Sequence, residues 1–168
     1  MDNTRPGGLM TANTFAKGLH QIGEFSNVMG FCSEWNKLSQ QGDNFGMFSN
    51  LRVFKKGIQP IWEDPVNENG GKWFVRLPVN YDKEENTISD EYIRMFLTLI
   101  IHLVCGQFGF EEDMCGAGLA IRPNCLVYYL WNKDSKDSTQ IGLVAERLKE
   151  LLTLDKIEYH SHKDSIKN

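Results

Sequence analysis

"GIQPIWEDPVNENGGKWFVRLP", Gly57 to Pro78, decides how the chain folds, because it carries a loop and the strand that follows it. Its last eight residues combine aromatic and β-branched side chains and stop at a proline, the composition of a strand. Just upstream, "NLRVFKKG" is a second strand candidate that ends at Gly57. Between them lies a segment too polar for a core, in which Trp62 stands directly beside Glu63 and Asp64. Gly70 and Gly71 read as a tight turn at its close.

Toward the N-terminus, residues 1–14 are polar, contain Gly and Pro, and show no periodicity, so they read as a flexible segment ahead of a single domain, 15–168. "LHQIGEF" reads as a strand, and "NVMGFCSEWNKL" places Val28, Phe31, Trp35 and Leu38 at helical spacing behind Ser26 or Asn27 as N-cap. Toward the C-terminus, a charged loop ends in Ser89, a good N-cap, and a mostly buried helix follows from Tyr92 to Phe108. "CGAGLAIRP" and "CLVYYLWNK" are strands close enough to form a hairpin at Pro123 and Asn124. Their alternation puts Gly118, Ala120 and Arg122 on one face, and Val127, Tyr129 and Trp131 on one face of the next strand. An amphipathic helix with Ile141, Val144, Leu148, Leu151 and Leu152 follows a Ser138 cap, and "KIEYHSHK" reads as a last strand. Strands mostly adjacent in sequence, with three intervening helices, indicate an α+β fold: an antiparallel sheet covered on one face.

With 168 residues, 41% of them hydrophobic and 24% charged, the chain has the makings of one globular domain. Its most apolar stretch, Tyr92 to Phe110, is broken by Arg94, His102 and Gln107, so no membrane span is expected, and "MDNTRPGGLM" has no apolar signal region. Four scattered cysteines without metal-ligand spacing fit reduced thiols in a cytoplasmic or nuclear protein and imply neither metal nor cofactor. A net charge of −4 argues against broad electrostatic binding to a nucleic-acid backbone, so any such ligand has to be gripped locally. His20, His102, His160 and His162 stand apart, no nucleophile with its base is legible, and the terminal "HSH" reads as strand histidines at a surface edge.

Trp62 and Glu63 are different in kind. A tryptophan in a polar loop most often plugs a core. Beside a carboxylate it has a second use: an indole face stacks on any base and attracts a cationic one, while the carboxylate accepts two parallel hydrogen bonds from the N1–H and amine of guanine. A positively charged guanine suits that pair best.

The segments "GIQPIWEDPVNENGGKW", "CGAGLAIR" and "YYLWN" resemble the signatures of the eukaryotic translation initiation factor 4E family of messenger-RNA cap-binding proteins. "NENGGKWFVRL", "LHQIGEF" and "HKDSIK" resemble its second class, the 4E-homologous proteins. The resemblance implies a curved antiparallel sheet with three helices on its convex back and the 7-methylguanosine cap in the concave face. It assigns Trp62 and Phe15 to the two aromatic plates, Glu63 to guanine, Trp131 to the 7-methyl group, and Arg122 and Lys72 to the phosphates. Two further basic positions of the family fall on Asn124 and Val127, which implies a weak phosphate grip and micromolar or poorer affinity.

The resemblance also implies that the family's first strand is missing here, since "TRPGGLMTANTF" resembles the loop after it. It places a partner surface on Val28, Cys32, Leu97 and Ile101, with Cys32 where the family has a tryptophan and Thr98 where it has an acidic residue. The implied partners are capped mRNA, through 7-methylguanosine triphosphate, and initiation-factor 4G-like scaffolds or 4E-binding repressors carrying a tyrosine-containing helix. No membrane is involved, and the chain is expected to be a monomer. A shortened interaction module that meets partners on the convex face without holding the cap is the alternative, and an enzymatic reading has no residue set that positions a water.

Overall fold

Alternating apolar residues need a surface to bury them, and here one sheet and three long helices supply it to each other. In the computed structural model, which describes residues 19–40, 48–79 and 89–166, the chain follows the α+β plan. Strands β1 (Asn50–Phe54), β2 (Gly71–Pro78), β3 (Met114–Arg122), β4 (Cys125–Asn132) and β5 (Glu158–Ser161) form one sheet in the order β1-β3-β4-β2-β5. Every pairing is antiparallel. Helices α1 (Val28–Gln40), α2 (Asp90–Val104) and α3 (Ser138–Leu152) cover one face, and a short α4 (His162–Ile166) follows β5.

Strand alternation sorts the side chains between two environments. Trp73, Ala117, Leu119, Ile121, Leu126, Tyr128 and Leu130 point into the core, against Phe31, Phe96, Leu99, Ile100, Val144 and Leu148 of the helices. The polar tips of buried aromatics are satisfied by helix backbone: Trp73 Nε1 donates to the Ile141 carbonyl at 3.0 Å, and the Tyr128 hydroxyl to the Tyr92 carbonyl at 2.8 Å. By the same alternation, Arg52, Phe54, Lys72, Phe74, Arg76, Arg122, Tyr129 and Trp131 share the opposite, open face.

Several local expectations shift. Leu19 to Phe25 makes no strand pairing among the described residues, and its middle is exposed: apolar residues three apart present no continuous strand face, and a strand does not hold without a partner edge. Among those residues β1 pairs only with β3, and it borders a cavity of about 1450 Å³ lined by 19–26, α1 and β1 itself. Asn27, rather than Ser26, caps α1 through its side-chain oxygen and the Gly30 N–H. Ser89 holds the N-cap position of α2 without a side-chain cap bond, and that helix stops at Val104 because Gly106 turns left-handed at φ +67°. The cap of α3 is Asp137, which accepts from the Gln140 N–H at 2.9 Å, one residue before the expected Ser138. Residues 1–14, Phe15 and the expected absence of a first strand lie outside the described residues.

Candidate functional site

The loop from Lys55 to Gly70 is rigid for a reason written in its own side chains. Asp64 folds back and accepts from the Gln59 and Val66 N–H groups, both at 2.9 Å. Asn67, fully buried, donates to the Gln59 and Ile61 carbonyls at 2.7 and 2.8 Å. The two acids of the Trp62-Glu63-Asp64 run therefore have opposite roles. Asp64 holds the loop, while Glu63 is exposed and makes no hydrogen bond or ion pair among the described residues. Trp62 is 39% exposed, so it is not a core plug.

This loop leaves the sheet at Phe54 and re-enters it at Gly71, spanning the ends of β3 and β4. One register row lies at its two ends: Phe54 opposite Gly116, Gly116 opposite Trp131, and Trp131 opposite Lys72. Trp131 is walled by three rings. Phe54 meets it edge-on at 5.4 Å, Tyr129 lies at 6.2 Å, and His162 at 4.2 Å. Gly116 makes the row possible, because a Cβ there would fall 2.4 Å from the Phe54 ring. Lys72, half-buried, is held below its ordinary pKa by burial and then by the nearby Arg76 charge.

The other side of the loop is pinned to the sheet end. Asn132 is fully buried and accepts from the Gly71 N–H and the Tyr159 hydroxyl, while donating to Asp113 and to the Asp134 carbonyl. Ser135 N–H and Oγ both bond the Asn69 carbonyl, Lys163 Nζ reaches Asn69 Oδ1 at 2.7 Å, and the His162 N–H bonds the Gly70 carbonyl at 3.0 Å. Gly70 and Gly71 are thus more than a turn: a Cβ on Gly70 would stand 1.8 Å from the Asn132 carbonyl oxygen.

His162 departs from its expected place on a surface strand. Ser161 and Asp164 form a capping pair, the Asp164 N–H donating to Ser161 Oγ at 3.1 Å, and this turns the chain into α4 and drives His162 inside. The imidazole is 1% exposed, and neither ring nitrogen has a hydrogen-bond partner among the described residues. Burial, and then the Lys72 charge, hold its pKa down to about 4. Against an ordinary value near 6.5, the folded state binds its proton later than the unfolded state, so stability is complete above about pH 6.5 and falls as the pH drops toward 4. At about 1.4 kcal/mol for each unit between 6.5 and about 4, the full loss comes to about 3 kcal/mol. Urea titrations at pH 7 and pH 4.5 are expected to show it, and His162→Phe is expected to remove most of that dependence while remaining at least as stable at pH 7.

The structure therefore brings Trp131 and Lys72 together in one register row, at the end of the sheet where the loop carrying Trp62 and Glu63 leaves β1 and enters β2. Arg122 stands apart, six residues along β3 from the position opposite Trp131, on the order of 20 Å away, with its guanidinium on Asn50 Oδ1 and the Ile121 carbonyl. Phe15 is outside the described residues. Val28 and Cys32 lie one turn apart on α1, Leu97 and Ile101 one turn apart on α2, and the Trp35–Phe96 ring contact at 6.2 Å joins those helices. Cys32 and Ile101 are exposed, as is Met29 at 79%. Sequence periodicity alone gives Asp64, Asn67 and His162 no structural role at the site. The Asp-Pro-Val-Asn run, an Asx-turn pattern, and the Ser-x-x-Asp run at 161–164 are the signals that find them.

The family model described as eukaryotic initiation factor 4E matches residues 2–168. Among curated proteins, the chain is 32% identical to the eukaryotic translation initiation factor NCBP of Oryza sativa subsp. japonica over 71% of this chain and 50% of that protein. It is 26% identical to eukaryotic translation initiation factor 4E-4 of Caenorhabditis elegans, over 98% of this chain and 74% of that one. The chain thus spans half the length of the rice relative and 64% of the Triticum aestivum NCBP. Among solved structures, Ascaris suum eIF4E-3 with m7G cap superposes with a TM-score of 0.72 at 29% identity, covering 84% of this chain and 77% of that one. C. elegans eIF4E-3 with the 4E-binding protein Mextli and cap analog gives 0.71 at 28%, covering 84% and 78%.

Proposed function

The chain belongs to the eukaryotic initiation factor 4E family, and on that premise we propose that it binds the 7-methylguanosine 5′ cap of messenger RNA, without catalysis, in the initiation or repression of translation. The observation that carries the reading is a partly exposed Trp62 beside a Glu63 that has no partner among the described residues, on a loop locked by Asp64 and Asn67. A stacking face and a carboxylate with no competing partner among the described residues, on a backbone already held in place, give the base two contacts at the cost of ordering only those two side chains. Trp131, walled by three rings, offers an apolar face to the 7-methyl group, and Lys72 beside it a cation to the first phosphate.

Structures of Ascaris suum eIF4E-3 with m7G and m2,2,7G caps support the ligand class. The structure of C. elegans eIF4E-3 with Mextli supports a protein partner as well, which we assign to the exposed faces of α1 and α2 around Val28, Cys32, Leu97 and Ile101. The test is capture on immobilised 7-methyl-GTP. Retention, with elution by 7-methyl-GTP and not by GTP, is expected. Flow-through of folded protein that still captures a 4E-binding protein favours the interaction-module alternative, and elution by both nucleotides alike overturns methyl-specific recognition.

A further inference from the structure

The family resemblance expects basic side chains at two positions that are Asn124 and Val127 in this chain, which leaves the phosphates of a cap short of cations. The sheet register supplies one from the neighbouring strand: Arg76 of β2 lies directly opposite Val127 of β4 and on the same open face as Lys72 and Trp131. We propose that Arg76 is a phosphate-binding residue, and that its ligand is the phosphate chain of a capped RNA 5′ end running from Lys72 across the open face toward Arg122. The inference rests on the cap-binding reading above and names the residue that holds the part of the ligand beyond the base.

Three observations carry it. Arg76 is exposed, and among the described residues neither it nor Lys72 has a carboxylate within ion-pair distance, Glu158 across from Phe74 being engaged with Lys156 and His160. Both cations lean on the same Phe74 ring, Lys72 Nζ at 5.7 Å and the Arg76 guanidinium carbon at 4.6 Å from its centroid, so the two charges stand within about 10 Å of each other. Like charges held that close on a half-buried surface repel, and an anion placed between them removes the repulsion.

The third observation is continuity. Arg52 hydrogen-bonds Tyr129 in the next register row, and Arg122 closes the face at the far end beside Asn50. Lys72 and Arg76 are four residues apart on one strand, about 13 Å between their backbone positions, so their charges line a strip along the strand that a chain of phosphates can follow. The whole chain is acidic, at −4, so this strip is a local cationic track, the kind of grip an acidic protein needs to hold a polyanion.

The experiment compares 7-methyl-GMP, 7-methyl-GTP and a short capped RNA, by fluorescence titration at several salt concentrations, for the wild-type protein, Arg76→Ala and Arg76→Lys. Arg76→Ala is expected to leave 7-methyl-GMP binding unchanged, to cut affinity for the capped RNA about tenfold, and to lower the salt slope by roughly 0.7 to 1. Arg76→Lys is expected to recover most of the loss. Unchanged capped-RNA affinity in Arg76→Ala overturns this inference while the base-binding reading stands, and so does an equal loss for 7-methyl-GMP. Failure of the wild-type protein to bind any of the three overturns the cap-binding reading itself.

Discussion

A Glu63→Ala protein is expected to keep its fold and lose about 100-fold in affinity for 7-methylguanine nucleotides. The side chain is exposed and makes no bond within the described residues, so its removal leaves no buried group unsatisfied. What it removes is a two-point, charge-assisted acceptor for the guanine edge, and hydrogen bonds to a charged group contribute about 1.5–3 kcal/mol. At 1.4 kcal/mol per tenfold, the upper part of that range is about two orders of magnitude. Glu63→Gln is expected to fall nearly as far, because its amide turns a donor toward the donors of guanine. Thermal melts coinciding with wild type, measured beside the binding isotherms, separate this outcome from a loss of structure.

Gly70→Ala is expected to do the reverse, weakening the fold rather than removing a ligand contact. The added Cβ would lie 1.8 Å from the Asn132 carbonyl oxygen and 2.9 Å from its carbon, both backbone atoms of a central strand. No side-chain rotation relieves that. The loop or the end of β4 has to move, and either motion breaks the Asn132 hub that joins Gly71, Tyr159 and Asp113. A loss above about 4 kcal/mol is expected, with a fall in Tm on the order of 10 °C. Gly142, exposed on α3 with nothing within 4 Å of its added Cβ, is the control: Gly142→Ala is expected to stabilise the protein by up to about 1 kcal/mol through helix propensity. Urea unfolding of the two variants side by side checks the contrast.

Much of this architecture is legible from residue pattern. The β3–β4 hairpin turns at Pro123 and Asn124, its alternation places Arg122 and Trp131 on one face, and the helices cover the other. What the pattern hides depends on partners distant in sequence. Leu19, Ile22 and Phe25 fit a strand only with a one-residue slip, and no edge pairs with that segment among the described residues. Asp64 looks equivalent to Glu63 until its carboxylate is seen to bind the Gln59 and Val66 amides. Arg76 reads as an ordinary outward residue until the register sets it opposite Val127. His162 continues a strand by alternation, and only the Ser161–Asp164 capping pair reveals that the chain turns inward there.

The proposed cap site has two parts: a loop braced by Asp64 and Asn67 that carries a stacking face and a carboxylate, and a walled tryptophan in the register row at the loop's two ends. Calorimetric titration of the wild-type protein with 7-methyl-GTP and with GTP tests that account most directly. The expected result is saturable binding of 7-methyl-GTP with a Kd at least tenfold below that for GTP, since only the methylated base is cationic and gains cation–π attraction from the indole. Equal Kd values for the two nucleotides, or no heat of binding from either, would contradict it.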